Sequence, residues 1–276
     1  MSLLSPGSPL ACVADGTRGC TGVWRGGHRT LCPVAATVPV RSTNAQCADC
    51  ARLDRSRSVA ADTRADDPQP YAVYLAYFGP GLLKVGITAA ARGSARLLEQ
   101  GAVAFSRLGT GPLMAARRTE ELLGAALGVK DRIPYREKRA VRAVLPPVGE
   151  RFAELASLHA RVAALPGWPG SMERAPFEPV DHTGVFGLDR LAARAGADGI
   201  SEITGLEDGV TLAGELLGAA GPDLHLGTES GVLVADARLM AGWRLRTADS
   251  ATGTTAPKRT LAVGRAETDG VQDSLF

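Results

Sequence analysis

The sequence predicts an α+β protein with three parts: an N-terminal zinc-ribbon-like module, a β-β-α-β-α core, and a small C-terminal antiparallel β domain. Three observations support this fold class. All five cysteines lie within residues 1–50 of the 276-residue chain. Strand and helix patterns alternate in the middle, whereas short apolar runs separated by Gly and Asp fill the C-terminal third. A hydrophobic fraction of 45% and a charged fraction of 22% are typical of a folded chain and exclude a mostly disordered one.

The predicted domain boundaries follow changes in composition. Residues 54–70 are polar and charged and end in proline, which is typical of a linker. Residues from 248 onward are polar and are expected to be disordered. The predicted units are a cysteine-rich zinc-binding module at 1–60, the core at 71–145, a helix or linker at 146–165, an acidic β-rich domain at 176–247, and a disordered tail at 248–276.

The charge is unevenly distributed along the chain. Residues 71–142 carry a net charge of +7 and residues 143–276 a net charge of −7. A segment this basic favours an anionic partner, most commonly nucleic acid, but it would equally suit docking on the acidic C-terminal part. No run approaches the ~20 apolar residues that span a bilayer, and the N-terminus lacks a basic signal-peptide region. We therefore expect a cytoplasmic protein without a membrane partner.

The cysteine spacing predicts a metal site. Cys47 and Cys50 form a C-x-x-C pair, whose two thiols reach one tetrahedral ion at ~2.3 Å. Cys20 and Cys32, each beside turn residues, would supply the other two ligands. Disulfides are not expected in a cytosolic chain, and the pair lacks the strand-to-helix setting of a redox motif. We expect a structural zinc ion here, with plain reduced cysteines or a redox pair as alternatives, and Cys12 outside the site.

The core is predicted from alternating patterns and turn residues. Gly79-Pro80-Gly81 joins two strands into an antiparallel hairpin. Thr88 is expected to cap the following helix, and Gly101 to end it in a left-handed conformation. The predicted elements are strands at 71–78, 82–88 and 102–108, a helix at 90–100, a helix that begins at Pro112 and stops at Gly128, and helices at 135–144 and 150–165.

This order of elements, with these residues, resembles the GIY-YIG nuclease superfamily over roughly residues 71–130. Ala72-Val73-Tyr74 stands where that family has GIY, and Lys84-Val85-Gly86 where it has YIG. Lysine at this position, followed by Thr and then Arg, also occurs in a divergent phage-type and fungal meiotic branch. The whole chain also resembles an uncharacterised bacterial family of actinobacterial type, with an N-terminal cysteine cluster and the pattern VYLAYFG…LKVGIT…R…QGA.

The nuclease resemblance implies a catalytic set and a metal-dependent phosphodiesterase that acts on nucleic acid. Tyr74 would help to activate water beside the scissile phosphate, Arg96 or Arg92 would stabilise the developing charge, and Glu120 would hold Mg2+ or Mn2+. Lys84 replaces the second tyrosine; it would act as a phosphate ligand or base, or mark a chain that kept binding and lost cleavage. A non-catalytic nucleic-acid binder and a protein-interaction module remain alternatives.

Further basic residues are candidate phosphate contacts. The run at 132–142 combines arginines with Tyr135, which suits stacking on a base, although an exposed amphipathic helix needs no ligand. Tyr74 has packing as its structural alternative, Glu120 a solvated helix face, and Lys84 an edge-strand lysine that discourages aggregation. The predicted nucleic-acid contacts are Arg92, Arg117, Arg118, Arg136, Lys138 and Arg139.

Overall fold

The computed structural model describes residues 5–25, 27–55, 67–195 and 199–264. The strands are β1 (Pro9–Asp15), β2 (Val23–Arg25), β3 (His28–Thr30), β4 (Tyr71–Tyr77), β5 (Leu83–Ala89), β6 (Ala104–Gly111), β7 (Glu173–Arg174), β8 (Val180–Asp181), β9 (Ile200–Ile203), β10 (Thr211–Ala220), β11 (Asp223–Thr228), β12 (Gly231–Asp236), β13 (Arg244–Thr247) and β14 (Lys258–Thr260). The helices are α1 (Ala48–Arg55), α2 (Ala95–Gln100), α3 (Leu113–Leu127), α4 (Tyr135–Val141), α5 (Val148–Ala163), α6 (Thr183–Phe186), α7 (Leu188–Arg194) and α8 (Ala237–Met240).

The central sheet has the predicted β-β-α-β-α order in strands β4, β5 and β6 and helices α2 and α3. Its strand order is β5-β4-β6-β7, and β8 also pairs with β6. Strand β4 is buried on both faces, which explains its nearly continuous apolar sequence. Val73 and Leu75 pack with α3 and α5, whereas Tyr74 and Ala76 pack with Leu97 of α2 on the opposite face. The face that carries Tyr74 is called the α2 face below.

Glycines end the two core helices as predicted. Gly101 follows α2 with φ 69°, and Gly128 follows α3 with φ 65°, both left-handed. The prediction that Thr88 caps the first helix was wrong. Thr88 pairs with Ala72 in the β4–β5 ladder, which continues to Ala89. Thr88 is therefore a strand residue, and α2 begins only at Ala95.

The C-terminal sheet recruits strands from both ends of the chain. Its order is β13-β1-β10-β11-β12-β9-β14, and its neighbours are antiparallel except for the parallel pair β9–β12. Two predicted boundaries are corrected by this arrangement. Strand β1 was predicted as part of the cysteine module, but Leu10, Cys12 and Ala14 pack in the core of the C-terminal sheet. Strand β14 lies in the segment predicted to be a disordered tail, and it pairs with β9. Residues 56–66 of the predicted linker and 265–276 of the tail lie outside the described residues.

The two large sheets share one apolar core. Val103 and Ala104 of the central domain belong to the same buried cluster as Leu217, Ala220 and Val232 of the C-terminal sheet. The turn between β10 and β11 lies against the end of α2, where a Cβ on Gly221 would come within 2.9 Å of the Gly101 nitrogen. This contact fixes the C-terminal sheet beside the α2 face. Within the described residues, no helix is both long and apolar enough to cross a membrane.

Candidate metal centre and candidate phosphate site

The cysteine cluster brings four thiols to one point. The sulfurs of Cys20, Cys32, Cys47 and Cys50 all lie within 4.8 Å of one another. The Cys32 and Cys47 sulfurs are 3.9 Å apart, and a tetrahedral ion with 2.3 Å metal–sulfur bonds would separate its ligands by about 3.8 Å. The described part of the chain therefore contains a cysteine cluster that could hold a metal ion, whereas Cys12 lies elsewhere, as predicted.

Local structure explains how the four thiols converge. Cys20 and Cys32 flank the β2–β3 hairpin, Cys47 precedes α1, and Cys50 lies in the first turn of α1. Because Cys50 comes from a helix and Cys47 from the segment just before it, and not from a turn between strands, the zinc-ribbon description is not confirmed. The cluster is closed, since all four sulfurs face one another and Val23 and Val38 pack around them.

Backbone amides point at these sulfurs. The N–H groups of Gly22 and Cys47 donate to the Cys20 sulfur at 3.4 and 3.2 Å. Backbone hydrogen bonds from Ala36 and Val34 lower the pKa of the Cys32 thiol to about 7. Such donors stabilise thiolates, the form of cysteine that binds metals. The donor set therefore fits a soft, tetrahedral ion.

The second site lies on the α2 face and is built around Tyr74. Its side chain is 1% exposed, and its hydroxyl accepts a hydrogen bond from Gln100 Nε2 at 3.2 Å. Gly86 lies directly opposite in the β4–β5 register, and a Cβ on it would come within 2.5 Å of the Tyr74 hydroxyl. Glycine is therefore required here because the phenol ring rests on the backbone of β5. Burial raises the pKa of Tyr74, and the hydrogen bond from Gln100 and the charges of Arg96 and Arg92 only partly oppose it.

Lys84 lies two residues from Gly86 on the same face of the sheet. The half-buried side chain donates from Nζ to the carbonyl of Asp131 at 2.8 Å. Burial lowers the pKa of Lys84 and so does Arg96, whereas Glu120 and Asp131 raise it. The Val85 N–H donates to the Lys130 carbonyl at 3.0 Å, which covers part of this sheet edge. Protection of a bare edge therefore does not account for the lysine.

Glu120 reaches this site from α3. It is half-buried, and burial raises the pKa of its carboxyl, Lys84 lowers it and Asp131 raises it again. Lys84 and Glu120 therefore influence each other electrostatically, and Asp131 acts on both. Outside the four cysteines, the described ranges contain no group of three or more His, Cys, Asp or Glu side chains that could hold a metal. An ion here would have one or two carboxylate ligands, a set that suits Mg2+ because this ion keeps several waters.

Exposed arginines surround the site. Arg92 and Arg96 both contact Glu99, at 2.5 and 3.5 Å, and all three side chains are about half exposed. Arg107 lies opposite Tyr74 in the β4–β6 register and is exposed on the same face. Sequence reasoning missed Arg107, since only the pairing of β4 with β6 places it here. Electrostatic interactions thus connect Tyr74 with Arg92, Arg96 and Glu120, and Lys84 with Arg96 and Glu120, while strand pairing places Arg107 opposite Tyr74.

The remaining predicted phosphate contacts are spread over the surface or buried. Arg117 lies close enough to Glu120 to lower the pKa of that carboxyl. Arg118 is exposed on α3, where no described feature connects it with the site, and Arg136 is exposed on α4.

For Lys138 and Arg139 the nucleic-acid prediction is corrected. Lys138 is 3% exposed, its Nζ lies 3.9 Å from the centre of the Phe78 ring, and burial lowers its pKa to about 7. Arg139 contacts three carboxylates of the C-terminal sheet: Asp223 at 2.6 Å, Asp236 at 2.6 Å and Glu202 at 2.9 Å. For this helix, the alternative that the basic segment docks on the acidic part is therefore what the structure shows.

A family model described as "Protein of unknown function (DUF2797)" matches residues 7–245. The chain belongs to the DUF2797 family. The match includes β1, the cysteine cluster, the central sheet and the C-terminal sheet through Leu245, so both candidate sites of this DUF2797 protein lie inside it. No curated protein and no solved structure matches the chain.

Proposed function

We propose that this DUF2797 protein binds nucleic acid on the α2 face around Lys84 and hydrolyses a phosphodiester bond there, as a divergent relative of the GIY-YIG nucleases. The observation that carries the proposal is the electrostatic interaction of Arg96 and Glu120 with both Lys84 and the phenol of Tyr74, which lie on one face of the β4–β5 hairpin. These groups come from β5, α2, α3 and β4, so the fold gathers them from separate elements of the chain.

The cations would bind the phosphate. Lys84 is partly withdrawn from water, which strengthens its interaction with an anion, and it is held in place by the Asp131 carbonyl. Arg92 and Arg96 are about half exposed and pair with Glu99, and their guanidinium groups suit bidentate contacts with phosphate oxygens. Arg107 extends the same positive face beyond Tyr74.

Tyr74 and Lys84 would have different roles in proton transfer. Because burial raises its pKa, the Tyr74 phenol stays protonated near neutral pH and acts as a hydrogen-bond donor. Burial and Arg96 lower the pKa of Lys84, so this side chain either holds the phosphate as an ammonium or, once deprotonated, accepts a proton as the neutral amine. Glu120, with Asp131 close by, would hold Mg2+ or Mn2+, an ion that polarises the phosphate when bound.

A second function, nucleic-acid binding without cleavage, is favoured by one observation. The Tyr74 side chain is 1% exposed and its hydroxyl is engaged by Gln100, so contact with a substrate requires a rearrangement of α2. In that case the cations retain the phosphate and no bond is broken.

Cleavage assays with matched variants test the proposal. Labelled DNA and RNA are incubated with the full-length protein, with Mg2+, with Mn2+ and with a chelator. We expect metal-dependent cleavage that Glu120→Gln abolishes and Glu121→Gln retains, because Glu121 is exposed on the same helix. Binding with no cleavage under any condition would support the second function, and absence of both binding and cleavage would refute both.

For the cysteine cluster we propose a structural zinc ion. Four sulfur ligands leave no open coordination position, so the ion would stabilise the β2–β3 hairpin against α1 and would not catalyse.

A further inference from the structure

The outer side of the cysteine module exposes large apolar side chains. Trp24 is 61% exposed, Leu31 71% and Val34 73%. Among the described residues, Val185 is the one other large apolar side chain that is more than 60% exposed. The face of the β2–β3 hairpin that carries Trp24 and Arg29 is called the hairpin tip.

The exposure of Trp24 is not required for the four thiols of the cysteine cluster to converge. Successive side chains of a strand point to opposite faces. Val23 is buried with Cys20 and Cys32, so the next residue, Trp24, faces away from the thiols. Folding of the module therefore does not need an indole at this position.

Arg29 lies directly opposite Trp24 in the β2–β3 register, so both side chains occupy the same face of the hairpin. The Nε atom of Arg29 donates to the Thr21 carbonyl at 2.7 Å. This bond uses Nε and anchors the guanidinium on the face of the hairpin that carries Trp24. An exposed aromatic ring and an anchored cation thus share one face of the hairpin.

The charge around the hairpin tip favours an anionic partner. Residues 16–48 contain neither aspartate nor glutamate, and two of their four arginines, Arg29 and Arg41, are exposed, whereas Arg18 is buried. Exposed aromatic rings next to guanidinium groups are the combination that binds single-stranded nucleic acid, since bases stack on the ring and phosphates pair with the cation. Duplexes keep their bases stacked inside and offer no free face to Trp24.

We propose that the hairpin tip binds single-stranded nucleic acid, with a base stacked on Trp24 and a phosphate held by Arg29. The inference rests on the proposed function only in taking nucleic acid as the partner, because the hairpin tip and the α2 face share no residue. It adds that the bound molecule presents a single-stranded stretch.

Fluorescence anisotropy with the full-length, zinc-loaded protein tests the proposal. We expect Trp24→Ala to weaken binding of a labelled single strand on the order of 10-fold, and Trp24→Phe to retain most of the affinity because a ring remains. Binding of the matching duplex should change far less. Val185→Ala, which removes an equally exposed side chain on α6, should leave affinity unchanged. Zinc content and the unfolding temperature should match wild type in all variants.

Intrinsic fluorescence gives an independent readout. Trp168 and Trp243 are only partly exposed, so a stacked base should quench mainly Trp24, and Trp24→Phe should lose that quenching. If Trp24→Ala binds single strands as wild type does while Lys84→Met binds them weakly, the hairpin tip proposal fails and the proposed function stands. If the wild-type protein binds no nucleic acid, both fail. A tip variant that loses a protein partner with unchanged nucleic-acid affinity would also overturn the inference.

Discussion

Removal of Asp223 should destabilise the contact between the central domain and the C-terminal sheet. Asp223 is fully buried and accepts hydrogen bonds from Arg139 and Arg142. Arg139 keeps Asp236 and Glu202 as partners when Asp223 is replaced by alanine. Arg142 is 1% exposed, and its Nε and Nη2 atoms have no hydrogen-bond partner. The variant therefore leaves one guanidinium buried without a carboxylate.

The expected loss follows from that unpaired charge. Breaking a buried ion pair from one side costs about 3–5 kcal/mol, which lowers the Tm of a chain of this size by roughly 6–20 °C. Differential scanning calorimetry of Asp223→Ala measures it, with the exposed Glu207→Gln as the control.

Replacing both partners sharpens the test. In Asp223→Leu with Arg142→Met no unpaired charge is left, so much of the lost stability should return. A fall in Tm below about 2 °C for Asp223→Ala, or a double variant less stable than the single one, would refute this assignment of the interface energy.

Three further predictions concern stability. Gly86→Ala should cost about 1–3 kcal/mol because its methyl group would press on the Tyr74 ring; urea unfolding measures this, and Gly149→Ala, where a Cβ meets nothing within 4 Å, is the control. Cys50→Ser should lower zinc content, measured by atomic absorption, and increase proteolysis of the cysteine module; unchanged zinc content would contradict the site. Burial raises the pKa of Asp223, but Arg142 and Arg139 hold it below its usual value. The stability that Asp223 contributes should therefore persist above about pH 4 and be lost as the pH falls further, and Asp223→Asn should flatten that part of the curve; an acid transition unchanged in this variant would argue against the assignment.

The central domain was predictable because its signals are local. Aromatic and β-branched strands, the Gly79-Pro80-Gly81 turn and the stops at Gly101 and Gly128 each act within a few residues, and the observed β-β-α-β-α order follows them. The C-x-x-C spacing likewise indicated Cys47 and Cys50 as a ligand pair, and the turn residues beside Cys20 and Cys32 indicated the other two thiols of the cluster. Thr88 misled because long-range pairing with Ala72 outweighed its capping preference.

Long-range contacts account for what the sequence did not reveal. Strand β1 pairs with β10 some two hundred residues away, and no local pattern distinguishes this partner from the cysteine module. Lys138 and Arg139 lie in a basic helix of the kind that binds phosphate. Their actual partners depend on tertiary packing, because Arg139 contacts Asp223 of the C-terminal sheet and Lys138 donates to the Gln100 carbonyl. Arg107 entered the candidate site only through the register of β4 with β6.

The affinity of Lys84→Met for labelled nucleic acid tests the central claim most directly. Lys130→Met is the matched control, because Lys130 lies beside Lys84 in a bridge between adjacent segments. If the α2 face holds a phosphate, Lys84→Met should weaken binding on the order of 10-fold, as loss of a charge-assisted contact does, and should flatten the dependence of affinity on salt. Lys130→Met should leave both nearly unchanged. Equal affinities for the wild type and Lys84→Met would contradict the account.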